Sequence, residues 1–345
     1  MSQLKLNGKT ETLCIFGHPV GHSKSPLMHN ALFEALGINA AYLPYAPEPE
    51  NLADAIKGFR AMKFRGANVT IPYKTPVMDL VDELSDISMF TGSVNTLYWK
   101  DGVVGGTLCG TTTDPYGCIR NLQESGVEPS NKRVALLGNG GAAKAIAYTL
   151  AEMQNRLTIV CRSREKGQAL ADSLNQFFNG KAPQVEVTTF DEFPSISQSI
   201  EIIINATSVG MTPNEDQSPL TEESLHPTQA VMDIVYTPPM TKLLQMAKAK
   251  GCKFVTGEGM LVHQGIESFR KWFPEETKNK TNDELAQIMR KGMQGSYEQA
   301  HLFHRIHGKR KIPHRTRPGR TTEPPLRGHR CGYRRTRRQN HQRNF

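Results

Sequence analysis

Between residues 12 and 251 the chain alternates short β-branched or apolar runs with longer stretches whose apolar positions recur every three or four residues. Eight runs predict strands: TLCIFG (12–17), AAYLPY (40–45), GANVTI (66–71), RVALLG (133–138), LTIVC (157–161), QVEVTTF (184–190), IEIIINA (200–206) and AVMDIVY (230–236). Helical periodicity falls at 26–36, 50–62, 115–125, 141–153, 164–177 and 240–250, and again at 259–273 and 281–291. Strands taking turns with helices give the rhythm of an α/β fold with parallel sheets. Proline- and glycine-bearing turns punctuate the pattern, and no fixed-period repeat occurs.

With 345 residues, two domains are expected. A boundary falls near 114–117, where a strand-rich half gives way to a helix and then to a glycine turn. A second crossing near 238–258 returns the last helices to the first domain. The expected division is 1–114 with 252–292, then 115–251, then a separate stretch over 293–345.

The net charge of +9 changes meaning when it is divided. Residues 1–291 hold 28 Lys and Arg against 31 Asp and Glu, whereas residues 292–345 hold 14 against 2. The body is mildly acidic and carries no electrostatic footprint for nucleic acid. Six cysteines show neither a CxxC pair nor a disulfide framework, which suits a reduced setting. The N-terminus lacks the build of a signal peptide, and no apolar run approaches the roughly 20 residues a bilayer span needs. A soluble, cytoplasmic protein is expected.

The clearest chemical signal is RVALLG followed by NGGAAKAIAYTLAE (133–152). Gly138, Gly140 and Gly141 lie between an apolar strand and an Ala-rich helix. Such a turn lets backbone approach a pyrophosphate, which then rests on the free N–H groups of the helix start. A plain strand-to-helix turn would use the same glycines. The next strand ends in Arg162, Ser163 and Arg164, with Lys166 just beyond. An acidic residue there would take a ribose hydroxyl; arginines suit a 2′-phosphate, so NADP(H) is expected over NAD.

Other candidates are open on residues alone. Ser23 and Ser25, in HSKSP, fit either a helix cap or a grip on a polar small molecule. Lys74 follows GANVTIPY at a strand end, where ligand crevices form, but a surface lysine reads the same way. Asn95 and Asp114 are isolated polar residues to which turn formation could assign a role. No zinc-type cluster occurs, and no metal is expected.

Taken in order, GHPVGHSKSPLMHN (17–30), GANVTIPYK (66–74), SVNT (93–96), TDPYG (113–117), GNGGAAKA (138–145), NATSVGM (205–211), DIVYTPPMT (233–241) and GEGMLVHQG (257–265) resemble the shikimate dehydrogenase family over residues 12–291. The resemblance implies a substrate-binding α/β domain and a Rossmann-type NADP-binding domain with the active site in the cleft between them. It also implies NADPH-dependent, reversible reduction of 3-dehydroshikimate to shikimate in chorismate and aromatic amino acid biosynthesis. By similarity Lys74 and Asp114 form the catalytic pair, and Ser23, Ser25, Thr70, Asn95, Tyr236 and Gln264 bind the substrate. Gly138, Gly140, Gly141 and Ala142 would face the pyrophosphate, Arg162 and Arg164 the 2′-phosphate, and Thr207, Gly257 and Met260 the rest of the dinucleotide. The chemistry is coherent: hydride arriving at a carbonyl leaves an alkoxide, and an ammonium held by a carboxylate can protonate it. The chain departs from the family pattern at Thr112, where Asn is usual, and at Cys161, where Asn is frequent. A quinate/shikimate dehydrogenase of broader specificity and a catalytically dead dinucleotide sensor are the competing readings. Homodimerisation is left open.

Residues 301–345 are rich in Arg, His and Pro without apolar periodicity. Their codons, read one base later, permit GFMGSGKS from residues 305–312, a P-loop string. The recovered string resembles the start of shikimate kinase, so the 293–345 stretch is expected to be a disordered, non-native tail without specific affinity for nucleic acid.

Overall fold

The computed structural model describes residues 6–307, with side chains described for 6–294. The first part contains β1 (Glu11–Phe16), α1 (Ser25–Leu36), β2 (Ala40–Tyr45), α2 (Leu52–Ala61), β3 (Gly66–Val69), β4 (Glu83–Leu84), α3 (Asp86–Thr91), β5 (Thr96–Trp99), β6 (Leu108–Thr111) and α4 (Asp114–Glu124). Then come β7 (Arg133–Leu137), α5 (Gly141–Glu152), β8 (Arg156–Cys161), α6 (Arg164–Phe178), β9 (Glu186–Thr189), α7 (Pro194–Ser197), β10 (Ile202–Asn205), β11 (Ala230–Asp233), α8 (Lys242–Ala249) and β12 (Lys253–Val255). α9 (Glu258–Trp272), α10 (Pro274–Thr277) and α11 (Asn282–His307) close the described chain. Each predicted strand and helix forms; β4, β5, β6, β12 and the short α3, α7 and α10 were not predicted.

The first sheet has the order β2-β1-β3-β5-β6-β4. It is mixed rather than wholly parallel, because β5 runs antiparallel to both β3 and β6. The cause is local. Lys100–Gly102 makes a tight turn with Asp101 at φ 54°, so β5 and β6 form a hairpin in place of a helical crossover. Alternation along β1 separates the faces: Leu13 and Ile15 pack with α1 and α9, while Cys14 and Phe16 pack with Ile56 and Phe59 of α2. At the outer edge, the Asn30 amide takes both backbone polar groups of Tyr42, donating to its C=O and accepting from its N–H, each at 2.9 Å.

The second sheet is parallel throughout, in the order β12-β11-β10-β7-β8-β9. This is the doubly wound order, with its reversal between β7 and β10, and a ligand crevice is expected beyond the carboxyl ends there. Both faces are covered. Val134 and Leu136 belong to one core, Ala135 and Leu137 to the other, which is why the strands read as continuous apolar runs. The chain leaves this sheet after Val255 rather than before 252, because β12 pairs with Ala230–Met232.

α9 and α11 pack beside the first sheet through Val262, Ile266, Phe269, Leu285 and Met289. The helix predicted to end at 291 runs on to His307, across the start assigned to the tail; no proline intervenes between Pro274 and Pro313. The Arg-rich stretch after His307, with its alternative reading frame, lies outside the described residues. α4 and α9 approach closely at Gly117, where a Cβ would lie 2.5 Å from the Met260 carbonyl oxygen. The far end of α4 is clasped too: Arg290 donates both Nη groups to Glu124, at 2.7 and 2.6 Å, and His263 Nε2 lies 3.0 Å from the same carboxylate.

The clasp gives stability a pH dependence. Hydrogen bonding by Arg290 holds Glu124 down at about 2, against 4.5 ordinarily. Its contribution is therefore complete above pH 4.5 and is lost as pH falls towards 2, on the order of 2–3 kcal/mol. Burial lowers His263, and lowers His29 to about 3, so protonation of the unfolded chain erodes stability from about pH 6.5 downwards. Urea unfolding measured from pH 7 to pH 3 should show stability falling throughout. Glu124→Gln should be less stable at pH 7 by about 2 kcal/mol and show a flatter profile below pH 4.5; parallel profiles for the two proteins would contradict the assignment.

Candidate active site

A cavity of about 380 Å³ opens along the edge of the first sheet. Its lining includes Ser23, Ser25, Thr70, Lys74, Asn95, Asp114, Tyr236 and Gln264, all eight residues expected to touch substrate or reacting atoms. Topology brings them together. Parallel β1, β3 and β6 end at this edge and release the loops bearing Ser23, Lys74 and Asp114. Antiparallel β5 begins there, so Asn95, just before it, arrives at the same place from the opposite direction.

Lys74 Nζ donates to Asp114 Oδ2 at 2.6 Å, with about a fifth of the Asp114 side chain and a third of Lys74 exposed. The second carboxylate oxygen accepts from Asn95 Nδ2 at 2.7 Å. Asn95 is itself fixed: its Oδ1 accepts from the Thr113 backbone N–H at 2.9 Å and from Thr96 Oγ1 at 2.7 Å. Behind it, Asn68 Nδ2 donates to Ser268 Oγ at 3.0 Å, and Tyr42 Oη donates to Asn68 Oδ1 at 2.7 Å. The carboxylate therefore has both oxygens occupied and little freedom to turn, while Lys74 keeps donors for a substrate oxygen. Ahead of α1, Ser23 Oγ accepts from the Ser25 N–H at 3.2 Å, but the N-cap position is Lys24 and no side chain caps the helix; Ser23 and Ser25 both line the cavity.

A second cavity, of about 630 Å³, lies at the crest of the parallel sheet. It is lined by Gly138, Asn139 and Gly140 after β7, by Cys161, Arg162, Ser163 and Lys166 after β8, and by Thr207 and Ser208 after β10. Gly138 has φ 106°, and a Cβ there would meet Thr207 Cγ2 at 3.0 Å. Gly140 and Gly141 have no such constraint, for a Cβ at either would meet nothing within 4 Å. The fold leaves that space open in front of α5, whose first intrahelical bond runs from Lys144 N–H to Gly140 C=O. Amides ahead of it are available to an anion, and the residues fit a dinucleotide pyrophosphate. Ala142, Gly257 and Met260 line the smaller cavity instead, where the two sites approach.

Gly141 is in the lining of neither cavity, and the contact expected of Arg164 changes as well. Arg164 does not line the larger cavity; its guanidinium is engaged by Glu192 and, at 3.2 Å, by the Val187 carbonyl. Arg162, Ser163 and Lys166 face the cavity in its stead. Lys166 sits on the first turn of α6, and helix geometry rather than sequence adjacency aims it. Beyond the candidates, Asn68, His22 and Lys24 also line the smaller cavity. Asn68 had a signal: a polar residue inside the apolar run GANVTI.

The two cavities share a buried support. Asn205 Oδ1 accepts from Thr207 N–H and Oγ1 at 3.0 and 2.7 Å, and its Nδ2 donates to Asp233 Oδ1 at 3.0 Å. Asp233 also accepts from the Val235 N–H at 3.0 Å and from Thr241 Oγ1 at 2.7 Å. Burial pushes this carboxyl up, and the three donors oppose that shift. The network ties the loop carrying Thr207 to the turn carrying Tyr236. Among the described residues, no group of His, Cys, Asp and Glu could hold a metal ion, and no helix is long and apolar enough to cross a membrane.

Two family models match: the shikimate dehydrogenase substrate binding domain over residues 15–97, and shikimate / quinate 5-dehydrogenase over residues 121–234. The shikimate dehydrogenase (NADP(+)) of Methanothermobacter thermautotrophicus is 40% identical over 270 residues, which are 77% of this chain and 92% of that protein. A crystal structure of a shikimate dehydrogenase in complex with NADP+ superposes with a TM-score of 0.75 at 35% identity, covering 85% of this chain and 97% of that one. The Thermus thermophilus shikimate 5-dehydrogenase, crystallised with NADP(H) and shikimate, gives 0.70 at 30% identity over 82% of this chain and 100% of its own.

The glycines separate backbone need from ligand need. Gly140→Ala should fold with an unchanged melting temperature and raise the KM for the dinucleotide about tenfold or more. Gly138→Ala should instead lose about 1–2 kcal/mol of stability, because a side chain there adopts a left-handed conformation. Thermal melts and cofactor titrations of both variants check this; a Gly140→Ala protein that binds cofactor normally would contradict it.

Proposed function

The chain belongs to the shikimate dehydrogenase family, and we propose that its two cavities together carry out the NADPH-dependent, reversible reduction of 3-dehydroshikimate to shikimate. The observation that carries the reading is the Lys74–Asp114 pair, 2.6 Å apart and buttressed by Asn95, in the wall of a cavity adjoining a dinucleotide crevice.

NADPH, when bound, supplies the hydride. The chain's residues do the rest. Lys74 Nζ donates a hydrogen bond to the substrate's carbonyl oxygen and gives it a proton as negative charge develops there. Asp114 keeps the ammonium aimed; Asn95 keeps Asp114 from rotating. In the reverse direction Lys74 takes the hydroxyl proton. Ser23, Ser25, Thr70, Tyr236 and Gln264 hold the ring hydroxyls and carboxylate, which fixes the reacting carbon opposite the cofactor.

Gly138, Gly140, Gly141 and Ala142 would receive the pyrophosphate, Thr207, Gly257 and Met260 the rest of the dinucleotide, and Arg162 with Lys166 the 2′-phosphate. Within this reading residues 1–114 and the returning helices form the substrate half, and 115–255 the cofactor half. The described cysteines, Cys14, Cys109, Cys118, Cys161 and Cys252, are all free and buried, in keeping with a reducing cytoplasm. The partners are small molecules and not nucleic acid; homodimerisation is compatible with the reading. Quinate is the competing substrate, since one matching family model spans both activities.

Steady-state assays with shikimate and quinate, each with NADP+ and NAD+, test the assignment; the highest kcat/KM is expected for shikimate with NADP+. Lys74→Met should lower kcat about 10²–10⁴-fold and leave the shikimate KM within a fewfold. A folded variant with near-normal turnover would remove Lys74 from the chemistry.

A further inference from the structure

We propose that Lys144 selects for the 2′-phosphate of the dinucleotide, closing on it from α5 while Arg162 and Lys166 hold it from the β8 side. The inference rests on the dinucleotide reading above. It supplies the cation that Arg164 does not.

A third cavity, of about 350 Å³, lies between α5 and α6 and adjoins the dinucleotide crevice, since Asn139 and Lys166 border both. Lys144 stands on its α5 side, and Phe90, Ala169 and Leu170 make its lining partly apolar. The two linings together carry Arg162, Lys166 and Lys144 and no carboxylate. Among the described residues none of these three is ion-paired, whereas Arg164 is held by Glu192. A phosphate monoester, with about 1.5 to 2 negative charges at pH 7, matches such an excess. The amides ahead of α5 serve the pyrophosphate, which leaves the side-chain cations to the 2′-phosphate.

Without an anion, the placement of Lys144 is unfavourable. It is the fourth residue of α5, a helix with no capping side chain and no acidic residue in its first turn. A cation there opposes the positive end of the helix dipole. Side chains on a helix lean towards its N-terminus, so the ammonium is carried to the crest of the sheet. Lys166, the third residue of α6, leans the same way, and its neighbour Glu165 lines neither cavity. An anion seated between the two helix starts relieves both conflicts.

The test is calorimetric and uses the full-length protein with NADP+, NAD+ and 2′,5′-ADP, which keeps the 2′-phosphate without the nicotinamide. Lys144→Met should raise the Kd for NADP+ and for 2′,5′-ADP about fivefold and leave that for NAD+ within about twofold. Lys144→Arg should restore most of the NADP+ affinity. Lys144 is exposed, so the melting temperature of the unliganded protein should not change. The gap between wild type and Lys144→Met should also narrow as salt is raised, because the site is open to solvent. Equal weakening of NADP+ and NAD+ would put Lys144 at the pyrophosphate, and unchanged binding of both would put it outside the site; either result overturns the proposal. Wild-type protein that binds neither dinucleotide would instead overturn the reading beneath it.

Discussion

An ammonium and a carboxylate held 2.6 Å apart, largely out of water, constrain everything near them. Desolvating either charge is costly, and their attraction offsets the cost only if the remaining lone pairs and protons are also placed. Asn95 meets the second oxygen of Asp114, and Asn95 must itself be held. Hence the polar layer of Thr96, Thr113, Asn68 and Ser268 in an otherwise apolar interior. Each member is satisfied by its neighbour, which makes the layer rigid and specifies one orientation of the pair. A looser arrangement would leave the proton donor free to turn from the carbonyl it serves.

That constraint explains the mixed sheet. Three parallel strands can bring three loops to one edge, but a parallel strand presents its carboxyl end there. The one antiparallel strand presents its beginning, so Asn95 reaches Asp114 without a further crossover. The second sheet has no such need. Its task is to place three strand ends around a dinucleotide, and the uniform doubly wound order does that. Asn205 and Asp233 then bind adjacent strand ends into one block, so the surfaces facing cofactor and substrate are not independent.

Much of this was legible in the sequence because periodicity and glycine placement are local. The strand-helix alternation, the Gly138–Gly141 turn and the residues gathered around the smaller cavity could all be anticipated, the last from ordered motifs resembling a family. β5 could not: four residues, TLYW, are too few to show alternation, and their direction is set by the turn that follows. Arg162 and Arg164, two residues apart, look equivalent in the sequence. Helix α6 starts between them and sends one to Glu192.

The Asn30 amide has a wider consequence. By occupying both backbone polar groups of Tyr42 it seals the β2 margin of the first sheet with a side chain that ends hydrogen-bond propagation. Pro44, two residues on, offers no N–H to an incoming strand. The sheet therefore cannot grow by templating a strand from another molecule at that margin. At this margin one amide and one proline ring together block strand addition.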